Sequence, residues 1–180
     1  MNYQQLIDKY YPAGTLRRDI YMRHCTSVAR EAIDIAHRCG LQLSDSEITE
    51  AAMLHDIGIF LTHAPSIGCE GTEPYIRHGL LGAELLRKEN FPERDARVAE
   101  LHTGAGLSVT EIQQQQLPLP ARDFLPETLL EKLICYADKF YSKGNDMKRK
   151  PLDKVMAGMK KFGPETEKRF NALHALFSNP

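Results

Sequence analysis

Neither sign of charge is in excess. Across 180 residues, 23 Lys and Arg stand against 24 Asp and Glu, a net charge of −1 with histidine neutral. That balance gives no global electrostatic case for a nucleic-acid coat or an anionic membrane, so any anion site must be local. Cysteine is sparse: Cys25, Cys39, Cys69 and Cys135 lie apart with no Cys-x-x-Cys pair. This argues against a zinc ribbon, a thioredoxin-like motif or a dense disulfide framework, and the four read as reduced thiols. No apolar run approaches the length of about eighteen residues needed to span a bilayer. The first residues, with Asp8 and several Tyr and Gln, lack the basic head and apolar stretch of a signal peptide. A soluble, cytoplasmic protein is expected. Sustained strand alternation and internal repeats are also missing, and the remaining pattern is that of an all-α chain.

What is present is helical periodicity with legible ends. Val28, Ala32 and Ile35 share a face on a segment from about Tyr21 to Cys39, with Gly40 as its C-terminal cap. Ser44 and Glu47 have capping-box spacing and open a helix carrying Ile48, Ala51, Ala52 and Leu54, which Gly58 closes. Residues 62–73, with Pro65, Gly68 and Gly71, read as a loop. Thr72-Glu73-Pro74 then starts a helix over roughly Tyr75 to Glu89. Pro92 opens another, bearing Ala96, Val98, Ala99 and Leu101, which ends at Thr103-Gly104-Ala105-Gly106. A Gln- and Pro-rich surface connection follows over 113–126, then a helix through Leu130, Leu133, Ile134 and Ala137. The tail from Pro151 reads as two short amphipathic helices broken at Gly163-Pro164.

Against this pattern several ionisable residues sit on the wrong faces. His24 lines up with Val28 and Ala32, His55 with Ile48, Ala51 and Ala52, and His78 with Leu81 and Leu85. His102 follows Val98 by one turn, and Asp138 follows Ile134 and Leu130 by one and two turns. His55-Asp56 stands where a small apolar helix meets a glycine, an expensive place for two ionisable groups without a partner. A single histidine on an apolar face is ordinarily a hydrogen-bonded core residue. Four of them on separate helices, with Asp56 and Asp138, make a nitrogen-and-carboxylate set that suits iron, manganese or zinc and disfavours calcium. Six ligands exceed what one tetrahedral ion needs, so two divalent transition metals are expected, with Asp56 as the bridge and the central catalytic carboxylate.

The same residues carry a resemblance. His24, then His55-Asp56, then Asp138 resemble the H…HD…D signature of the HD phosphohydrolase superfamily, and His55-Asp56-Ile57-Gly58 spells its HDIG variant. His78 in Arg77-His78-Gly79 and His102 in Leu101-His102-Thr103-Gly104 look like the extra histidines of the binuclear branch. The stretches 102–107, 125–129 and 136–139 also resemble a group of small uncharacterised HDIG proteins. The resemblance implies a single HD-domain helical bundle of about seven to nine helices over 1–180. Its metal-binding core would span 21–142 and a C-terminal helical extension 143–180. It further implies that His24, His55, Asp56 and Asp138 hold one metal, and Asp56, His78 and His102 a second, with iron or manganese favoured and zinc accepted. The implied reaction is hydrolysis of a phosphate ester or anhydride of a small, nucleotide-like metabolite. The Gly-Tyr-Pro signature of the cyclic-di-GMP branch is missing, which argues against that substrate. Two other readings stay open: a single-metal nucleotidase in which His78 and His102 bind phosphate, and a metal-stabilised nucleotide sensor without turnover. Oligomeric state is not legible.

Basic residues near the ligands are the candidate phosphate contacts. Arg77 precedes His78, Lys139 follows Asp138 and Arg23 precedes His24. Lys139, Lys143, Lys148, Arg149 and Lys150 form a basic stretch, interrupted by Asn145-Asp146, that reads first as a solvated helix end and loop. Of the histidines outside the ligand pattern, His37, His63 and His174, His63 is the one whose loop follows the HDIG turn. Cys25, beside His24, reads as a small buried apolar residue.

Overall fold

A computed structural model describes residues 1–144 and 148–178. Asn145 and Asp146 lie outside the described residues. Nine α-helices and a two-stranded ribbon of minimal length make up the described chain, in agreement with the all-α expectation. None of these helices is long and apolar enough to cross a membrane.

The helices are α1 (Tyr3–Tyr10), α2 (Leu16–Arg38), α3 (Asp45–Leu54), α4 (His78–Lys88), α5 (Glu93–Leu101), α6 (Val109–Gln114), α7 (Leu129–Asp138), α8 (Leu152–Lys161) and α9 (Pro164–Ser178). Four open with capping boxes: Asn2 with Gln5, Ser44 with Glu47, Ser108 with Glu111, and Thr128 with Glu131. Each box satisfies otherwise orphaned N–H donors of a first turn reciprocally. Of these boxes, only the one at Ser44 was read from the sequence.

Several elements differ from the sequence expectation. α1 was not foreseen, and α2 begins at Leu16, capped by Thr15, rather than near Tyr21. α3 stops at Leu54, and Gly58 lies inside a following 3-10 turn, Ile57–Leu61, instead of closing the helix. α6 lies mostly before the segment read as a surface connection, overlapping it at Gln113 and Gln114, and Phe124 of that segment is buried. The loop after the 3-10 turn pairs β1 (His63–Ala64) with β2 (Cys69–Glu70), His63 opposite Glu70. A second 3-10 turn, Tyr75–Arg77, leads into α4.

Two apolar clusters flank the site. One joins α2, α3 and α7 to the C-terminal helices through Val28, Ile48, Leu133, Phe140 and Phe170. The other joins α1, α2 and α3 to α4 and α5 through Leu6, Tyr21, Leu54, Leu86 and Ala99. Both draw on opposite faces of α2 and α3, so the end of α3 is held between two packed layers.

Candidate metal centre

Helix ends bring the candidate ligands together. His55 and Asp56 follow the last residue of α3, His102 follows α5, Asp138 is the last residue of α7, and His78 is the first of α4. His24 projects from within α2. Three helices thus point their carbonyl ends at one place, which makes it electronegative and suited to cations. Buried tyrosines hold the turn that carries the pair. Tyr21 Oη donates to the Met53 carbonyl at 2.5 Å, and Tyr11 Oη to the Ile57 carbonyl at 3.0 Å.

The imidazoles are oriented by their own chain. Nδ1 of His55, His78 and His102 lies 2.6, 2.7 and 2.7 Å from the carbonyl oxygens of Ala52, Tyr75 and Ala99. A carbonyl can only accept, so each Nδ1 carries the hydrogen and each Nε2 turns a lone pair inward when the ring is neutral. His24 and His55 bring their Nε2 atoms to 3.3 Å, and His78 and His102 to 3.0 Å. Two nitrogens on one ion, at metal–nitrogen distances of about 2.0–2.1 Å and ordinary coordination angles, stand roughly 2.9–3.4 Å apart. The donor spacing therefore fits a shared cation in both pairs.

Asp56 lies between the pairs. Its Oδ2 is 3.1 Å from His24 Nε2 and 3.2 Å from His55 Nε2, while its Oδ1 is 3.5 Å from His78 Nε2 and 3.4 Å from His102 Nε2. Asp138 Oδ1 completes the first pair at 3.0 Å from His24 Nε2. His24, His55 and Asp138 form one buried group able to hold an ion, and Asp56, His78 and His102 another. Cys25 also lies within ligand distance of His55 and Asp56. Oδ1 of the fully buried Asp56 carboxylate has no hydrogen-bond partner among the described residues, and Oδ2 has only the ion pair with the Lys143 ammonium at 2.7 Å. An unsatisfied carboxylate at that depth is costly unless a cation sits against it.

The charges respond accordingly. Burial pushes the Asp56 carboxyl up, but His55 and the Lys143 ammonium hold it well below the usual carboxylate range. Burial also opposes ionisation of Asp138, and Lys139 with the histidine contacts reverses that effect. Burial lowers His55, and the Asp56 charge more than offsets this. Burial and the neighbouring His102 take His78 down to about 3.

Of the sequence-derived phosphate contacts, one reaches the centre. Lys139 Nζ is 2.5 Å from Asp138 Oδ2 and donates to the His102 carbonyl at 2.9 Å, tying the two groups together. Arg77 pairs with Glu73 at 2.8 Å and donates to the Pro118 carbonyl, so it turns away from its neighbour His78. Arg23 is exposed and folds back on the Asp19 carbonyl. Lys143, read as solvated, instead places Nζ 2.7 Å from Asp56 Oδ2. It follows α7 in a loop, where helical periodicity carries no signal. His63 lines a cavity of about 640 Å³ beside the centre, together with Tyr75 and Lys143.

An all-helical chain with a buried histidine–carboxylate centre at converging helix ends is the class these observations define. The chain belongs to the HD domain family, which matches residues 21–142. An uncharacterised protein of Methanocaldococcus jannaschii is 35% identical over 156 residues, covering 85% of this chain and 79% of that protein. A protein of Picrophilus torridus named tRNA (cytidine(56)-2'-O)-methyltransferase is 36% identical over 126 residues, 69% of this chain and 32% of the relative. One of the same name from Thermoplasma volcanium is 30% identical over 176 residues, 97% of this chain and 46% of the relative. The chain thus spans only about a third and just under half of these two relatives. No solved structure gives a significant match.

Proposed function

We propose that the chain is a binuclear, metal-dependent phosphohydrolase that cleaves a phosphate ester or anhydride of a small, nucleotide-like metabolite. The observation that carries this reading is the split of the Asp56 carboxylate, with Oδ2 toward His24 and His55 and Oδ1 toward His78 and His102. Asp56 would bridge two ions, with His24, His55 and Asp138 on one and His78 and His102 on the other. Iron or manganese suits this set best, and zinc is also compatible. Two such ions supply acidity to water and draw charge from a phosphoryl oxygen.

The residues of the chain do the rest. Carbonyl contacts at Nδ1 fix three imidazoles, so that little reorganisation is left when a substrate arrives. Lys139 restrains Asp138, and Tyr11 and Tyr21 restrain the turn that carries His55 and Asp56. The packed walls keep bulk water from the centre, and substrate enters from the cavity at Tyr75. The names of the two longer relatives refer to a nucleotide of tRNA, which accords with a nucleotide-like substrate. Because the chain spans only part of them, we assign it hydrolysis rather than methyl transfer, on the chemistry of its own centre.

The test is release of phosphate or nucleoside from a broad nucleotide panel by protein purified without oxygen, with iron and manganese supplied separately. Turnover that is lost in a folded Asp56→Asn variant is the expected result. Full turnover in that variant, or none from any panel member by metal-loaded parent protein, would overturn the reading.

A further inference from the structure

The basic residue closest to the bridging carboxylate belongs to none of the sequence-derived contacts. Lys143 follows α7, and its side chain is 17% exposed while its Nζ rests on the fully buried Asp56. Residues 149 and 150 pack back on Phe140 and on α2. The Lys150 N–H donates to the Phe140 carbonyl at 2.8 Å, Arg149 pairs with Glu31 at 2.7 Å, and the Arg149 guanidinium stacks on the Phe140 ring.

Lys143 also forms part of the wall of the 640 Å³ cavity, with His63, Pro65, Ile67 and Tyr75. Its ammonium therefore stands between the space open to a ligand and the carboxylate that faces both histidine pairs. Lys139, Arg77 and Arg23 are committed elsewhere: to Asp138, to Glu73 and to a carbonyl of their own helix. Among the described residues, Lys143 is thus the cationic side chain that lines this cavity, and an ammonium at its wall is a natural seat for an anion with several oxygens.

From this geometry we infer that Lys143 is the phosphate-binding residue of the site, taking the phosphoryl oxygens of a substrate that enters through the cavity. The inference rests on the phosphohydrolase reading above. A cation against Asp56 Oδ2 replaces the ammonium there, and the flexible lysine stem lets Nζ swing outward to the incoming phosphate.

Titration of inorganic phosphate into the manganese-loaded protein tests this, with Lys143→Gln and Lys143→Arg alongside and manganese per chain counted in each. Loss of a charge-assisted hydrogen bond should weaken phosphate binding by about tenfold or more in Lys143→Gln, while Lys143→Arg retains most of it. The manganese count should be maintained in both. Phosphate binding by Lys143→Gln equal to that of the parent, with manganese intact, overturns the role of Lys143 alone. If the parent binds phosphate equally with and without manganese, the phosphohydrolase reading falls, while the comparison at Lys143 still decides whether it holds the anion. A parent that binds no phosphate in either condition overturns both.

Discussion

Gly58 packs against Gly82 so closely that no side chain fits between them: a Cβ at 58 would stand 2.9 Å from Gly82 Cα and overlap the His78 carbonyl. This contact sets the turn carrying His55 and Asp56 directly on the start of α4, which carries His78. The glycine of the His-Asp-Ile-Gly run therefore governs the distance between the two histidine pairs. Gly58→Ala should cost on the order of 1–3 kcal/mol, the usual penalty for overpacking. It should also lower metal occupancy beyond what the stability loss explains, through displacement of His78. Denaturant unfolding with metal counting on the folded fraction checks both effects.

Lys139 acts on Asp138 rather than in the cavity. Its replacement by methionine keeps the stem and removes the contacts to Asp138 Oδ2 and the His102 carbonyl. Groups that orient metal ligands commonly contribute about 10–100-fold in affinity, and a loss in that range is expected in a manganese titration of Lys139→Met. Affinity equal to that of the parent would show that the lysine has no such role.

Asp95 is buried in the first turn of α5 with neither carboxylate oxygen hydrogen-bonded among the described residues. Burial and the nearby Glu50 charge push its carboxyl up to about 6. A folded-state value above the unfolded one means that the folded protein favours the proton. The associated stability is complete below about pH 4 and lost as the pH rises through 6. Asp95→Asn should therefore stabilise the protein at pH 8 by about 1–3 kcal/mol, and the gain should vanish near pH 4. Unfolding curves at the two pH values give the comparison.

Glu111 shows the opposite sign. It accepts from Arg169, Thr166 and Ser108, joining α6 to α9. Burial disfavours its charge, but Arg169 and the Ser108 contacts prevail and take it down to about 2. Its contribution is present above about pH 4.5 and lost as the pH falls toward 2. Glu111→Gln should cost about 1–3 kcal/mol at pH 7 and converge with the parent in acid. Acid titration of thermal stability in the two proteins tests this.

The convergence of these side chains was readable because the four histidines and Asp138 each stand in phase with an apolar helix face and Asp56 adjoins His55, and burial against both clusters turned that phase into proximity. His24 and Asp138, far apart in sequence, reach 3.0 Å in this way. Short elements were less legible. α1 and α6 carry only two buried residues each, too few to establish a period, although their capping boxes at Asn2 and Ser108 offered the same signal used at Ser44. The role of Gly58 was misread because a glycine after a helix is ordinarily a terminator, and close backbone approach is visible only in three dimensions. Lys143 was misplaced for a related reason: charge in a loop suggests solvent until the path of the loop is known.

The central claim is that Asp56 joins two ions. Anomalous diffraction from crystals grown with manganese locates the ions directly. The account calls for two peaks on either side of the Asp56 carboxylate, one among His24, His55 and Asp138 and the other at His78 and His102. A single peak at full occupancy, with none between His78 and His102, would contradict it.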